Sequence, residues 1–332
     1  MAESMRIGIT FDLREDYARE GYDEEQTAEF DHVDTILAID SALHSLGHET
    51  DRIGHARVLA KRLVDGDRWD LIFNIAEGMH GFGRQALVPA LLDTYRVPYT
   101  FSDPLALAVT LHKAAAKRIV RDQGLCTADF SVVEALADVQ HVTLPFPLFI
   151  KPIAEGTSKG ISATSKVGNR IELMRGCERL LTRHCQPVLV ERYLPGREFT
   201  VGILGTGSAS TVLGVMEVVL RAGAEPEIYS YENKKHFEER VEARLAVDAD
   251  GLAAADLALS AWKGLGCRDA GRIDVRCDVD GKVNFLEANP LAGLHPKDSD
   301  LPLLARLKGL PYRALIESII ASALSRVAKS VA

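Results

Sequence analysis

The chain has 332 residues, 47% of them hydrophobic, and only 13 prolines, enough apolar material for a sizeable core divided among two or three domains. Its 47 acidic residues outnumber 39 lysines and arginines and leave a formal charge of −8, which excludes the basic face of a nucleic-acid binder. No apolar run approaches the roughly 18 residues of a membrane span, and five cysteines, an odd number without a metal-ligand cluster, suggest reduced thiols in a cytoplasm.

The start, MAESMRIGITF, passes almost directly into a strand at Met5 to Phe11 and lacks the apolar stretch of a signal peptide, which also predicts a cytoplasmic protein. An amphipathic helix is expected from Glu29 to Leu46, with Glu29 at its opening, then a strand from Trp69 to Asn74, a loop, and a helix from Gln85 to Tyr95. This alternation predicts an open α/β domain over residues 1–102, with its ligand side at the strand C-terminal ends. Pro98 to Pro104 leads into a helix from Leu105 to Gln123, on which Lys113 and Lys117 share a face. The central domain is placed at residues 103–190 and the third at 191–332. Trp262 reads as a core residue, and Tyr312 to Val327 as a packing helix.

Lys151 ends the strand PFPLFIKP and is followed by EGTSKGIS, where Gly156 and Gly160 permit tight turns and close backbone approach to a ligand. Exposed N–H groups in such a loop can hold phosphate oxygens, which makes Glu155, Thr157 and Ser158 candidate nucleotide-site residues. In PVLVERYLPGREFTVG, Glu191 ends one strand and Glu198 begins another. A charge between two hydrophobic runs needs a cation or a metal, and a salt bridge from Glu198 to Arg197 or Arg192 is the structural alternative.

The stretch AGRIDVRCDVDGKVNFLEANPLAG, from Ala270 to Gly293, reads as a hairpin turning at DVDGK. Residues at i and i+2 share a strand face, so Arg272 goes with Asp274 and Glu287 with Asn289, and two carboxylates and an amide converge. Such oxygen donors suit magnesium shared with substrate phosphates, and a surface hairpin whose acids face water is the alternative.

Over nearly its whole length the chain resembles the ATP-grasp superfamily, and within it the D-alanine:D-alanine ligases. The matching stretches are VPYTFSDPLALAVTLHKAAAKRIV, FIKPIAEGTSKGIS, VLVERYLPGREFTVGIL, YSYENKK, LGCRDAGRIDV and VNFLEANPLAGL. The resemblance implies an ATP-grasp fold preceded by an α/β preATP-grasp domain. It implies that Lys113 and Lys151 contact the ATP phosphates, Glu191 the nucleoside and Glu198 the ribose, with Lys234 on a mobile loop over the phosphates. Asp274, Glu287 and Asn289 match the magnesium ligands, for one or two ions that manganese can replace, and Arg272 matches the arginine that stabilises the acyl-phosphate and tetrahedral intermediate. Glu29 matches the acid for the first substrate's ammonium, and Ser299 stands near the place of the serine that holds the acceptor carboxylate. The implied partners are a small-molecule carboxylate and an amine, without nucleic acid or membrane and with room for a homodimer.

Departures from the family pattern concern the amino-acid pocket. Where the D-alanine ligases carry a histidine-glycine motif followed by glycine, glutamate, aspartate and glycine, this chain has FNIAEGMHGFGRQ, with Glu77 or Gly78 at the histidine position, His80 displaced and Arg84 among the expected acids. Lys235 replaces a pocket-closing tyrosine, Thr157 its serine partner, and the loop PLAGLHPKDSDLP is one residue longer, bringing Lys297 beside Ser299. Arg84 with Glu29 and Glu77 would fit an amino-acid zwitterion. These differences predict an ADP-forming ligase for an amino acid other than D-alanine, with D-alanine:D-alanine ligation, or another carboxylate activation such as ring closure, as alternatives.

Overall fold

The computed structural model describes residues 4–221, 223–224, 233 and 236–331. Lys234 and Lys235 lie outside the described residues, so the expectations placed on them are not addressed by the structure.

Three sheets organise the described residues. The first is parallel, in the order β2-β1-β3, from Arg6–Thr10 (β1), Glu49–Gly54 (β2) and Leu71–Asn74 (β3). All four residues of β3 are buried, the pattern of a strand covered on both faces. One face is covered by the helix Val33–Ser45 and the last helix, Tyr312–Val331, whose Leu315, Ile316 and Ile319 join Ile7, Ile9, Ile36 and Ile39 in one core, and the other by the helices Ala56–Val64 and Leu87–Tyr95, whose Leu59, Leu63, Val88 and Leu92 pack with Ile72. The C-terminal helix therefore returns to the N-terminal sheet. It is fastened by Arg326, which pairs with the fully buried Asp269 and donates to Tyr99 O.

The second sheet has the order β4-β7-β5-β6, from Phe130–Val133 (β4), Leu148–Pro152 (β5), Lys166–Val167 (β6) and Val188–Arg192 (β7). The third has the order β10-β9-β8-β11-β12, from Glu198–Leu204 (β8), Thr211–Leu220 (β9), Val241–Leu245 (β10), Ala270–Cys277 (β11) and Val283–Asn289 (β12). Both are antiparallel. The division expected at residue 190 cuts through β7, and the chain passes between these two sheets only after Arg192.

The helix expected over Gln85 to Tyr95 opens as a 3-10 turn at Arg84–Ala86 and is α-helical over Leu87–Tyr95, the last helix runs on from Val327 to Val331, and two other helices depart further from their expected bounds. The first begins at Val33, because His32 is extended (φ −88, ψ 160) and Asp31 exchanges backbone hydrogen bonds with the segment 12–14. Glu29 thus lies in a turn ahead of the helix and does not open it. The helix expected over 105–123 is broken into Pro104–Leu111 and Lys113–Asp122 at His112, whose backbone leaves the helical region (ψ 90) and whose Nδ1 accepts from Ala115 N–H to cap the second segment. Lys113 N–H donates to Ile153 O, so the break docks the second segment against the end of β5. Trp262 is fully buried, as expected. No helix among the described residues is long and apolar enough to cross a membrane, and all five cysteines are unpaired.

Candidate active site

The hairpin β11–β12 forms as its alternation predicts, turning through Gly281 at φ +79. Arg272 lies directly opposite Asn289 and Asp274 directly opposite Glu287. Small residues hold it close to its surroundings: a Cβ on Gly271 would stand 2.6 Å from Asn289 O and 2.7 Å from the Trp262 ring.

Two cavities meet at this hairpin. The first, about 710 Å³, lies between the second and third sheets and is lined by Lys151, Ser158, Glu191, Glu198, Arg272, Asp274 and Glu287 together with apolar walls from Phe149, Ile161, Leu194 and Leu286. The second, about 810 Å³, lies where the N-terminal sheet, the glycine loop and the third sheet come together. It is lined by Glu29, Asp31, Glu77, Gln85, Lys113, Glu155 and Thr157 on one side and Arg272, Glu287, Asn289 and residues 290–294 on the other. Arg272 and Glu287 border both.

In the first cavity the buried Glu191 takes Lys117 on one oxygen and Lys151 on the other, each at 2.8 Å. Burial opposes its charge, but the two lysines outweigh it and bring the carboxyl down to about 2. Lys117, expected to be solvated or supporting, is completely buried and also reaches Thr127 and Phe285 O, so it belongs to this site. The i,i+4 face shared with Lys113 was visible in sequence, but its direction was not. Glu198 pairs with Arg276 at 3.1 Å, not with its sequence neighbours Arg197 or Arg192. Arg197 instead serves Glu217 and Asp250. Arg276 also lies over the Tyr193 ring, 5.4 Å from its centroid.

At the junction, Asp274 receives Arg272, Asn289 Nδ2 (3.2 Å) and Thr200 Oγ1 (2.9 Å). Glu287 receives Lys113 at 3.1 Å, and the same ammonium donates to Glu155 O. Arg272 is also 3.5 Å from Asp300, and these acids keep its guanidinium firmly charged despite burial. Among the described residues no three His, Cys, Asp or Glu side chains gather as a metal cage. Asp274, Glu287 and Asn289 nevertheless offer hard oxygen donors on facing strands, and a magnesium ion completed by phosphate oxygens and water fits that set.

In the second cavity, Arg84 donates to Glu29 (2.8 Å) and to Ala154 O (2.9 Å), while Lys159 lies 3.0 Å from Glu29 and also pairs with Glu155. The cation of the expected zwitterion site, Arg84, is therefore paired with one of that site's own acids, Glu29. Neither Lys159 nor Gln186, which donates to Glu155 and accepts from Ala154 N–H, was singled out from sequence, since only the fold brings them to the loop. Thr157 and Ser158 both take left-handed conformations, φ +51 and +57, which bend the loop over the junction. His80 is exposed and bonds Tyr22, away from the cavity. Ser299, expected to hold an acceptor carboxylate, lines neither cavity. Its hydroxyl accepts from His295 N–H, and it stands behind Gly293, whose added Cβ would be 2.7 Å away. Lys297 is exposed at the surface.

Two antiparallel sheets closing on a cleft of lysines and acids, with an α/β domain completing the second cavity, define an ATP-grasp carboxylate–amine ligase. The family described as "D-ala D-ala ligase C-terminus" matches residues 119–321, and the chain belongs to the D-alanine–D-alanine ligase family. It is 35% identical over 276 residues to the D-alanine–D-alanine ligase of Bordetella petrii, covering 82% of this chain and 80% of that one. It is 33% identical over 288 residues to the D-alanine–D-alanine ligase of Aquifex aeolicus, covering 86% and 93%. The crystal structure of D-alanine–D-alanine ligase from Bacillus anthracis complexed with ATP superimposes with a TM-score of 0.74 at 22% identity over the full length of both chains, which shows the shared fold.

Proposed function

We propose that the chain joins two D-amino acids through an acyl-phosphate, releasing ADP and phosphate, with D-alanine as both substrates. The relatives' names favour the D-alanine pair over the amino acid other than D-alanine expected from sequence. The observation that carries the chemistry is that Arg272 and Glu287 border both cavities, so a phosphoryl group presented from the first meets a carboxylate held in the second.

A carboxylate is a poor acceptor for an amine because oxide would have to leave. In the proposed sequence a carboxylate oxygen attacks the γ-phosphorus, ADP departs, the amine adds to the acyl carbon, and phosphate leaves with that oxygen. Lys151, positioned by Glu191, and Lys113, at the junction, bind the phosphate chain, while Glu198 faces the ribose. Arg272 stabilises the charge that develops on the phosphoryl group and the carbonyl oxygen. Glu155, Thr157 and Ser158 place the glycine loop over the phosphates, and Lys234 is assigned to the same task. Magnesium, as one or two ions held by Asp274, Glu287 and Asn289, would neutralise phosphate charge when bound. The amine enters from the side of residues 290–294, with Ser299 supporting that loop.

A second reading, an amino acid other than D-alanine at the activated position, is favoured by Glu77 or Gly78 standing where the family pattern has its histidine and by the place of Glu77 in the cavity wall. Incubation with ATP, magnesium and pairs of amino acids, followed by ADP assay and product mass, separates the two readings. Preferential D-alanyl-D-alanine formation supports the first. A different product with D-alanine inert supports the second.

A further inference from the structure

Among the acids that line the second cavity, Glu29 and Glu77 both stand on its N-terminal side, and the structure commits them differently. Both oxygens of Glu29 are spent. Oε2 takes Arg84 at 2.8 Å, and Oε1 takes Lys159 at 3.0 Å and Gly156 N–H at 2.6 Å. Gly156 packs so closely that an added Cβ would meet that carboxylate at 3.2 Å. With Glu155 also on Lys159, the two acids and two cations balance, so an ammonium reaching Glu29 would have to compete with the cations already paired to it. The bonds of Glu29 also run between domains, from the turn ahead of the first long helix to the loop after β5.

Glu77 has a different setting. It stands just beyond β3, fixed on one side by Gly78 N–H donating to the buried Asp12 (2.8 Å) and on the other by Gln85 Nε2 donating to its Oε2 (2.5 Å). Its bonded partner is a neutral amide, and among the described residues no cation pairs with it. Asp31, a second acid in the same wall, adds to the negative charge. Burial, followed by the nearby charge of Glu29, pushes the Glu77 carboxyl up to about 8, against the smaller opposing effects of Gln85 and Arg84, as befits a position short of one positive charge.

Resting on the ligase reading above, we propose that Glu77 receives the α-ammonium of the amino acid whose carboxylate is activated, while Glu29 fastens the glycine loop to the N-terminal domain. The substrate then spans the cavity, ammonium toward the N-terminal wall and carboxylate toward Arg272 and Glu287. The class of ligand is an amino acid with a free α-ammonium, and its des-amino analogue leaves Glu77 without a partner. The role matched to Glu29 by resemblance passes in this chain to the acid that has an oxygen to give.

The test compares each amino acid that drives ADP release with its des-amino analogue, in wild type, Glu77→Gln, Glu77→Asp and Glu29→Gln. Wild-type turnover with an amino acid establishes the ligase reading; its absence overturns that reading and this assignment together. Given turnover, Glu77→Gln is expected to raise KM for the activated amino acid about 10- to 100-fold, leave the ATP dissociation constant in place, and abolish preference over the des-amino analogue. Glu77→Asp restores part of that preference, which a purely structural role would not produce. Glu29→Gln is expected to lower thermal stability and raise amide exchange in residues 154–160 while preserving the preference. Retention of the preference in a folded Glu77→Gln, or its loss in Glu29→Gln alone, overturns the assignment. Should Glu77→Gln fail to fold, the Glu77→Asp and Glu29→Gln comparison decides in the same way.

Discussion

The ammonium of Lys117 lies 2.8 Å from a carboxylate oxygen of Glu191, and the two are buried together beside the first cavity. Lys151 completes the group from β5 on the other oxygen. Because Lys117 comes from a helix and the other two from strands, this ionic triad ties the helix Lys113–Asp122 to the second sheet and fixes the direction of Lys151.

Replacing Lys117 by Met should therefore destabilise the protein by about 3–5 kcal/mol, since Glu191 loses one of its two cations in a buried setting. Chemical denaturation measures it. ATP affinity should fall as well, because Lys151 is no longer opposed by a second lysine and moves closer onto Glu191. A variant with unchanged denaturation midpoint would show that Lys117 is a bystander.

The pH dependence of stability should bear the mark of Glu77. Its carboxyl is raised from the ordinary 4.5 to about 8, so the folded chain keeps a proton that the unfolded chain has lost. That contribution favours folding at low pH, declines as pH rises from 4.5 toward 8, and is flat above. Asp31, raised to about 6 by burial, acts with the same sign but is finished above that point. His48, His112 and His184, lowered by burial from 6.5, act with the opposite sign and only below their ordinary value. Between about pH 6.5 and 8 Glu77 stands alone among these groups, and the stability difference between wild type and Glu77→Gln should shift steadily in favour of the variant. A difference independent of pH across that window would contradict the burial of this charge.

The hairpin was legible in sequence because alternation and a DG turn are local signals, but the register that sets Arg272 against Asn289 and Asp274 against Glu287, with an irregularity after Asp274, was not. What the sequence withheld was long-range. Nothing local announces that Arg84 will close on Glu29, 55 positions away, or that Lys117 will turn inward to Glu191. The break at His112 was hidden for a related reason, since LALAVTLHKAAAKRIV has continuous helical propensity and the interruption comes from the bond to Ile153 O. Tyr312 to Val327 was recognised as a packing helix, but its surface on the N-terminal sheet is a property of the fold.

Substituting Glu287 by Gln should lower turnover by about 100- to 1,000-fold, because this acid borders both cavities and belongs to the proposed magnesium set. The overall fold should remain intact, as the neutral amide keeps the shape and can still meet Lys113. Circular dichroism and turnover at saturating substrates over a magnesium series check this. Near-wild-type turnover at low magnesium would remove Glu287 from the metal site.

Activation of a carboxylate by phosphorylation at the junction marked by Arg272 and Glu287 is tested by the fate of ¹⁸O placed in the carboxylate of the first amino acid during turnover with ATP. The expected products are ADP and inorganic phosphate carrying one ¹⁸O, since the oxygen that attacks the γ-phosphorus leaves with it when the amine displaces phosphate. Label in AMP, released alongside pyrophosphate, or amide formation with phosphate carrying no label, would contradict it.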